Sequence, residues 1–295
     1  MKKHIKFILL ASFIVSCNIL IGCSKNATTS NVEKNNKIPI SVSIVPQETF
    51  VKAVGKNLVD VVTMIPSGQS PENFQPTPDL LEKFSKSKLY FSIGVPTEKT
   101  SIIPKASDLN PNIKIINLEK VVQSHYPDRE FSPGMRDPHI WLSPKRVKVM
   151  IDSIKDELCK IDPPNKSFYE KNAKDYINNL NKIDKDIHSS LSHLKNKAII
   201  VYHPAFGYFC DDYGLEMIPL EKDGKESTVQ DLQQSITYAK EKHIKVIFYQ
   251  AEVDSKQSKT FADEIGGRSE LVEPLSADYI KNLQTMCDTF KKALE

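Results

Sequence analysis

Residues 165–195 constrain the fold more than any other part of the chain. Tyr169, Ala173, Tyr176, Leu180, Ile183, Ile187, Leu191 and Leu194 recur every three or four residues, with no glycine or proline among them. That spacing predicts one amphipathic helix with a single apolar stripe. At 1.5 Å per residue it would run about 45 Å, enough to span a two-lobed protein. A helical hairpin would need a turn signal, and none interrupts the run. Pro163-Pro164 closes whatever comes before it.

On both sides of this helix, short β-branched runs alternate with helical patterns. Before it, residues 38–44, 58–65, 89–93 and 113–118 read as strands, and 47–55, 80–87 and 144–161 as helices. After it, residues 197–202, 215–220, 244–249 and 270–273 read as strands, and 205–213, 228–242, 255–265 and 277–294 as helices. Such alternation implies parallel pairing through helical crossovers. The expected fold class is α/β: two lobes, each with a mainly parallel sheet flanked by helices, joined by one long rigid helix. The expected divisions are 38–163 for the first lobe, 164–196 for the helix and 197–295 for the second lobe. Ligand sites in such sheets lie beyond the carboxyl ends of the strands.

The N-terminus speaks to location. Lys2, Lys3 and Lys6 precede an almost wholly apolar run over residues 7–21, and no acidic residue appears before Glu33. The run suits a signal-peptide core and is short for a bilayer span. It ends in Leu20-Ile21-Gly22-Cys23, which resembles a bacterial lipobox. The expectation is a signal peptide over 1–22, lipidation of Cys23, and a polar tether over 23–37 that holds the protein at the extracytoplasmic face of a membrane. The three signal lysines account for the whole formal net charge of +3. A mature chain without net charge or a basic run argues against nucleic acid as the partner. Cys159, Cys210 and Cys287 are too scattered for a disulfide framework, although one bridge is allowed.

Asp137-Pro138-His139-Ile140-Trp141-Leu142-Ser143-Pro144 holds the only tryptophan. Pro138 restricts the backbone around the histidine, and Ser143-Pro144 reads as a helix start with a serine cap. The octapeptide serves equally well for a metal ligand backed by Asp137 or for a buried histidine packed beside the indole. Three other donors fall after expected strands. Glu72 lies in Gly68-Gln69-Ser70-Pro71-Glu72, His203 follows 199–202, and Glu273 ends the last run. Two imidazoles and two carboxylates suit a divalent cation such as zinc or manganese. Glu98 and Glu252 also stand in strand-end loops but are left outside this set.

With these motifs, together with Phe74-Gln75-Pro76-Thr77-Pro78, His203-Pro204-Ala205-Phe206-Gly207-Tyr208-Phe209 and Glu273-Pro274-Leu275-Ser276, the chain resembles the metal-binding solute receptors of bacterial ABC importers for zinc and manganese (cluster A-I, ZnuA/TroA/PsaA-like). The resemblance covers essentially the whole mature domain. It implies a metal between two lobes, held by Glu72, His139, His203 and Glu273, with one ion per chain, a cognate permease as partner, and a monomer. Zinc is expected, with manganese as the alternative. The family usually places histidine where this chain has Glu72 and aspartate where it has Glu273. The histidine-rich loop of many zinc receptors is missing, with only His125 in residues 123–136. The competing readings are a manganese-specific receptor or surface adhesin on the same fold, and a secreted metallohydrolase. The last would need an open ligand position and a general base, and no HExxH motif is present. The expectation is a receptor and not an enzyme.

Overall fold

In the computed structural model, which describes residues 37–221, 227–252 and 256–295, the chain forms two four-stranded parallel sheets. The first has the order β2-β1-β3-β4, from β1 (Ile38–Val42), β2 (Val59–Thr63), β3 (Leu89–Ser92) and β4 (Lys114–Asn117). A short antiparallel hairpin, β5 (Glu130–Ser132) and β6 (Met135–Arg136), follows it. The second sheet has the order β10-β9-β7-β8, from β7 (Ala198–Val201), β8 (Glu216–Pro219), β9 (Val246–Tyr249) and β10 (Arg268–Leu271). In each sheet the lobe's opening strand sits inside, and the strand order reverses beside it: between β1 and β3, and between β7 and β9. Inner strands of parallel sheets are covered on both faces, so they are apolar without alternation. β3 and β7 are buried at every position.

The helix Lys166–Leu191 lies between the lobes. At 26 residues it is about 39 Å long, one turn shorter than the 165–195 periodicity suggests. Tyr169, Ala173, Leu180, Ile183, Ile187 and Leu191 form its buried stripe, while Lys171–Asp175 and Lys182–Asp186 pair along the outer side. It packs on helices Pro144–Ile161, Val45–Gly55 and Tyr279–Leu294. One apolar cluster therefore runs from Ile40 and Phe91 through Leu180 and Ile187 to Ile199 and Phe290. The two lobes share a core across the helix.

Several local expectations are corrected. The last strand is Arg268–Leu271, earlier than 270–273. Two glycines set this start. Gly266, at φ +59°, ends the preceding helix, and a Cβ on Gly267 would meet the Lys245 carbonyl at 2.2 Å. Arg268 can then donate to that carbonyl at 2.9 Å and open the ladder. Helical segments at Glu98–Ile102, Ile103–Leu109 and Leu118–Gln123, and the β5–β6 hairpin, are absent from the sequence reading. Each is too short to show a period. Cys210 and Cys287 are buried and Cys159 half-buried, all as free thiols. The signal peptide, Cys23 and all of the tether but Lys37 lie outside the described residues. Among the described residues, no helix is long and apolar enough to cross a membrane.

Candidate metal centre

Pro138 and the Ser143 cap fix His139 between them. Ser143 Oγ accepts from Arg146 N–H at the start of helix Pro144–Ile161, as the Ser-Pro pair predicts. The buried Asp137 carboxylate then accepts twice through Oδ1: from the His139 amide at 2.9 Å and from His139 Nδ1 at 2.8 Å. Trp141 lies against the imidazole, with ring centroids 5.1 Å apart. The histidine is thus buried beside the indole, and its orientation is fixed by a carboxylate.

His203 stands two residues beyond β7. Its Nδ1 donates to Glu221 Oε2 at 2.8 Å. Glu221 stands two residues beyond β8, at the same offset as His203 from its own strand. The register Val201↔Pro219, continued by Glu221 N–H to Tyr202 carbonyl at 2.8 Å, sets the two side by side. With both Nδ1 atoms donating to carboxylates, both Nε2 atoms are free to offer lone pairs. Those Nε2 atoms lie 3.3 Å apart. Two nitrogens at about 2.0–2.1 Å from a tetrahedral zinc stand about 3.3–3.4 Å from each other.

Glu72 comes from the loop after β2. The Thr97 amide, in the loop after β3, donates to the Pro71 carbonyl at 3.0 Å, and Ser101 Oγ donates to Gln75 at 2.9 Å. Behind them the buried Glu98 carboxylate accepts from Ser43 Oγ, and from the Ile93 and Gly94 amides at 2.8 Å each. It ties the ends of β1 and β3 together under the Glu72 loop. Burial pushes this carboxyl up to about 7, against the three donors. Glu98 is therefore a brace within the first lobe.

Glu72, His139 and His203 each offer a ligand atom, all within 4.8 Å of one another. They line a cavity of about 560 Å³ with Tyr202, Glu221, Gln250 and Glu252. Glu273 is not brought into this group. Because β10 ends at Leu271, the buried inward position falls to Val272, and Glu273 is exposed. Its carbonyl accepts from Asn282 Nδ2 at 2.6 Å, and the next carbonyl, of Pro274, accepts from Trp141 Nε1 at 2.9 Å. Asp137, left open in the sequence between backing the histidine and forming a turn, accepts from both the His139 amide and Nδ1. Glu221 was missed, and the offset it shares with His203 was the available signal. The second lobe also packs close at the Asp137 carboxylate: a Cβ on Gly207 would meet Asp137 Oδ2 at 2.7 Å.

A family model for the periplasmic zinc-uptake complex component A (ZnuA) matches residues 40–293. The chain is 32% identical over 277 residues to the high-affinity zinc uptake system protein ZnuA of Bacillus subtilis (strain 168), covering 89% of this chain and 86% of that protein. A crystal structure of ZnuA superposes with a TM-score of 0.83 at 33% identity, covering 88% of this chain and all of that one. A zinc-bound ZnuA deletion mutant gives 0.82 at 33% identity, covering 88% and 98%.

Proposed function

The chain belongs to the periplasmic zinc-uptake component A family, and from that premise we propose that it captures one divalent metal ion outside the membrane, zinc before manganese, and hands it to an ABC permease. It is a receptor rather than an enzyme. The observation that carries the reading is the pair of Nε2 atoms 3.3 Å apart, each ring fixed through Nδ1 by a carboxylate. The proposed ligands are His139, His203 and Glu72, with Glu273 as the fourth. For Glu273 to ligate, its exposed side chain has to turn toward the cavity while the Trp141 hydrogen bond holds the Pro274 carbonyl beside it. Four protein donors leave no position for a catalytic water. Titration of the protein, which we expect to be a monomer, should give one zinc per chain and a melting temperature that rises with free zinc, since the unfolded chain cannot assemble the site. A stoichiometry of two would refute the single-site geometry.

Glu72 supplies oxygen where a third imidazole would supply nitrogen. Oxygen donors suit manganese better, although zinc outranks manganese at most sites. Glu72→Ala should weaken both metals about tenfold to a hundredfold, and Glu72→His should widen the zinc-over-manganese ratio. Unchanged affinities in Glu72→Ala would remove Glu72 from the ligand set.

We also propose that Cys23 carries the lipid that keeps the receptor beside its permease. Cys23→Ala should block processing or release the protein from the membrane fraction. Normal processing with full membrane retention would overturn the anchor.

A further inference from the structure

The two sheets reverse strand order at matching places, and their strand ends differ in one respect. At the first reversal, between β1 and β3, both oxygens of Glu98 are taken up by Ser43, Ile93 and Gly94. At the second, between β7 and β9, the register Ile200↔Ile247 and Val201↔Phe248 carries Gln250 level with His203, and Glu252 follows two residues on. Gln250 and Glu252 both line the cavity that holds Glu72, His139 and His203. Gln250 is 5% exposed, and its Nε2 has no hydrogen-bond partner among the described residues. Glu252 Oε2 is buried and likewise has none.

A carboxylate oxygen shut away from water without a donor carries its desolvation cost uncompensated. Burial raises the proton affinity of Glu252 against a hydrogen bond from its own backbone amide, and the neighbouring negative Glu273 adds to the rise. The first lobe answers the same problem with three donors. In the second lobe the Glu252 backbone amide compensates part of the charge, and Oε2, without a partner among the described residues, is left to an ion in the cavity. Openings at such strand-order reversals are where ligands of parallel sheets bind.

We infer that Glu252 is a further affinity-determining residue of this cavity, whose negative charge, with Oε2 left without a donor, is stabilised by the bound divalent cation. The inference rests on the receptor reading proposed above. It adds the charge of a residue outside the four proposed ligands, acting across the cavity wall formed by the end of β9. The sheltered position keeps this interaction stronger than a surface pair and less sensitive to salt.

The test uses the full-length chain in detergent, zinc and manganese chlorides as probes, and competition against a chromophoric chelator. Parent, Glu252→Gln and Glu252→Asp are compared. Glu252→Gln should weaken zinc binding about tenfold or more at both low and moderate salt. Its metal-free melting temperature should equal or exceed the parent's, because a buried unpaired charge has gone, and the zinc-induced rise should shrink. Glu252→Asp keeps the charge and should retain most of the affinity. Parent-like affinity in Glu252→Gln would overturn the inference and leave the receptor reading intact. Equal losses in the Gln and Asp variants would also overturn it, by assigning the effect to shape. A parent that binds neither metal would overturn both.

Discussion

Replacing His203 by alanine should lower zinc affinity by about a hundredfold to a thousandfold, and His139→Ala should do the same. Structural zinc sites hold their ion with about 10–16 kcal/mol, so one donor in four accounts for about 2.5–4 kcal/mol. Manganese affinity should fall as well, because both imidazoles face the same point 3.3 Å from each other, but by a smaller factor, since an imidazole suits zinc better than manganese. Each substitution also leaves a carboxylate, Glu221 or Asp137, without its imidazole partner. The metal-free protein should therefore melt somewhat lower as well, and affinity must be compared at a temperature where both proteins are folded. Zinc binding by His203→Ala as tight as in the parent would remove His203 from the ligand set and overturn the paired-imidazole geometry. Because the shared core holds the lobes on one helix, metal loading should move loops and side chains more than lobes. Crystals with and without metal that differ by a large rotation would contradict that expectation.

The elements that were legible in the sequence are those long enough to repeat. The stripe from Tyr169 to Leu191 fixes its helix within a few residues at each end, and Ser143-Pro144 fixes the start of another. Parallel order follows from the alternation, but the strand order does not, since pairing is decided by contacts far apart in the chain. His139 and His203 were legible because each stands at a strand-end or loop-to-helix junction beside proline. Glu221 is marked only by standing at the same offset from its strand as His203, a signal that gains meaning once β8 pairs with β7 and carries it to His203. Glu273 was misplaced with the end of its strand. The β-branched and apolar residues 271–272 drew the expected strand toward its C-terminal side, whereas Gly266-Gly267 and the Lys245 carbonyl set the real start. A shift of two residues leaves side-chain parity unchanged along a strand. Here it moves Glu273 off the strand altogether, where the carbonyl contacts to Trp141 and Asn282 decide its direction.

Trp141 is where the core and the candidate site depend on the same side chain, so its replacement should have the largest effect on stability. Its side chain is fully buried against His139, its Nε1 donates to the Pro274 carbonyl, and its own carbonyl accepts from Tyr279 at 2.6 Å. Truncation of a buried tryptophan to alanine costs about 3–5 kcal/mol, a large part of a typical folding stability of about 5–15 kcal/mol. In a chain of this size that lowers the melting temperature by roughly 10 °C. Trp141→Phe separates the two roles. It keeps most of the apolar burial but leaves the Pro274 carbonyl without its donor, at about 1–3 kcal/mol. The Phe variant should melt a few degrees below the parent, far above Trp141→Ala. Its zinc affinity should fall less than in His203→Ala, because His139 keeps its Asp137 bond and only the segment carrying Glu273 is loosened. Calorimetry and zinc titration of the two variants check both statements. If Trp141→Phe matched the parent in melting and in affinity, the indole would serve the core alone, and the hydrogen bond to Pro274 would not help to position the second lobe's carboxylate.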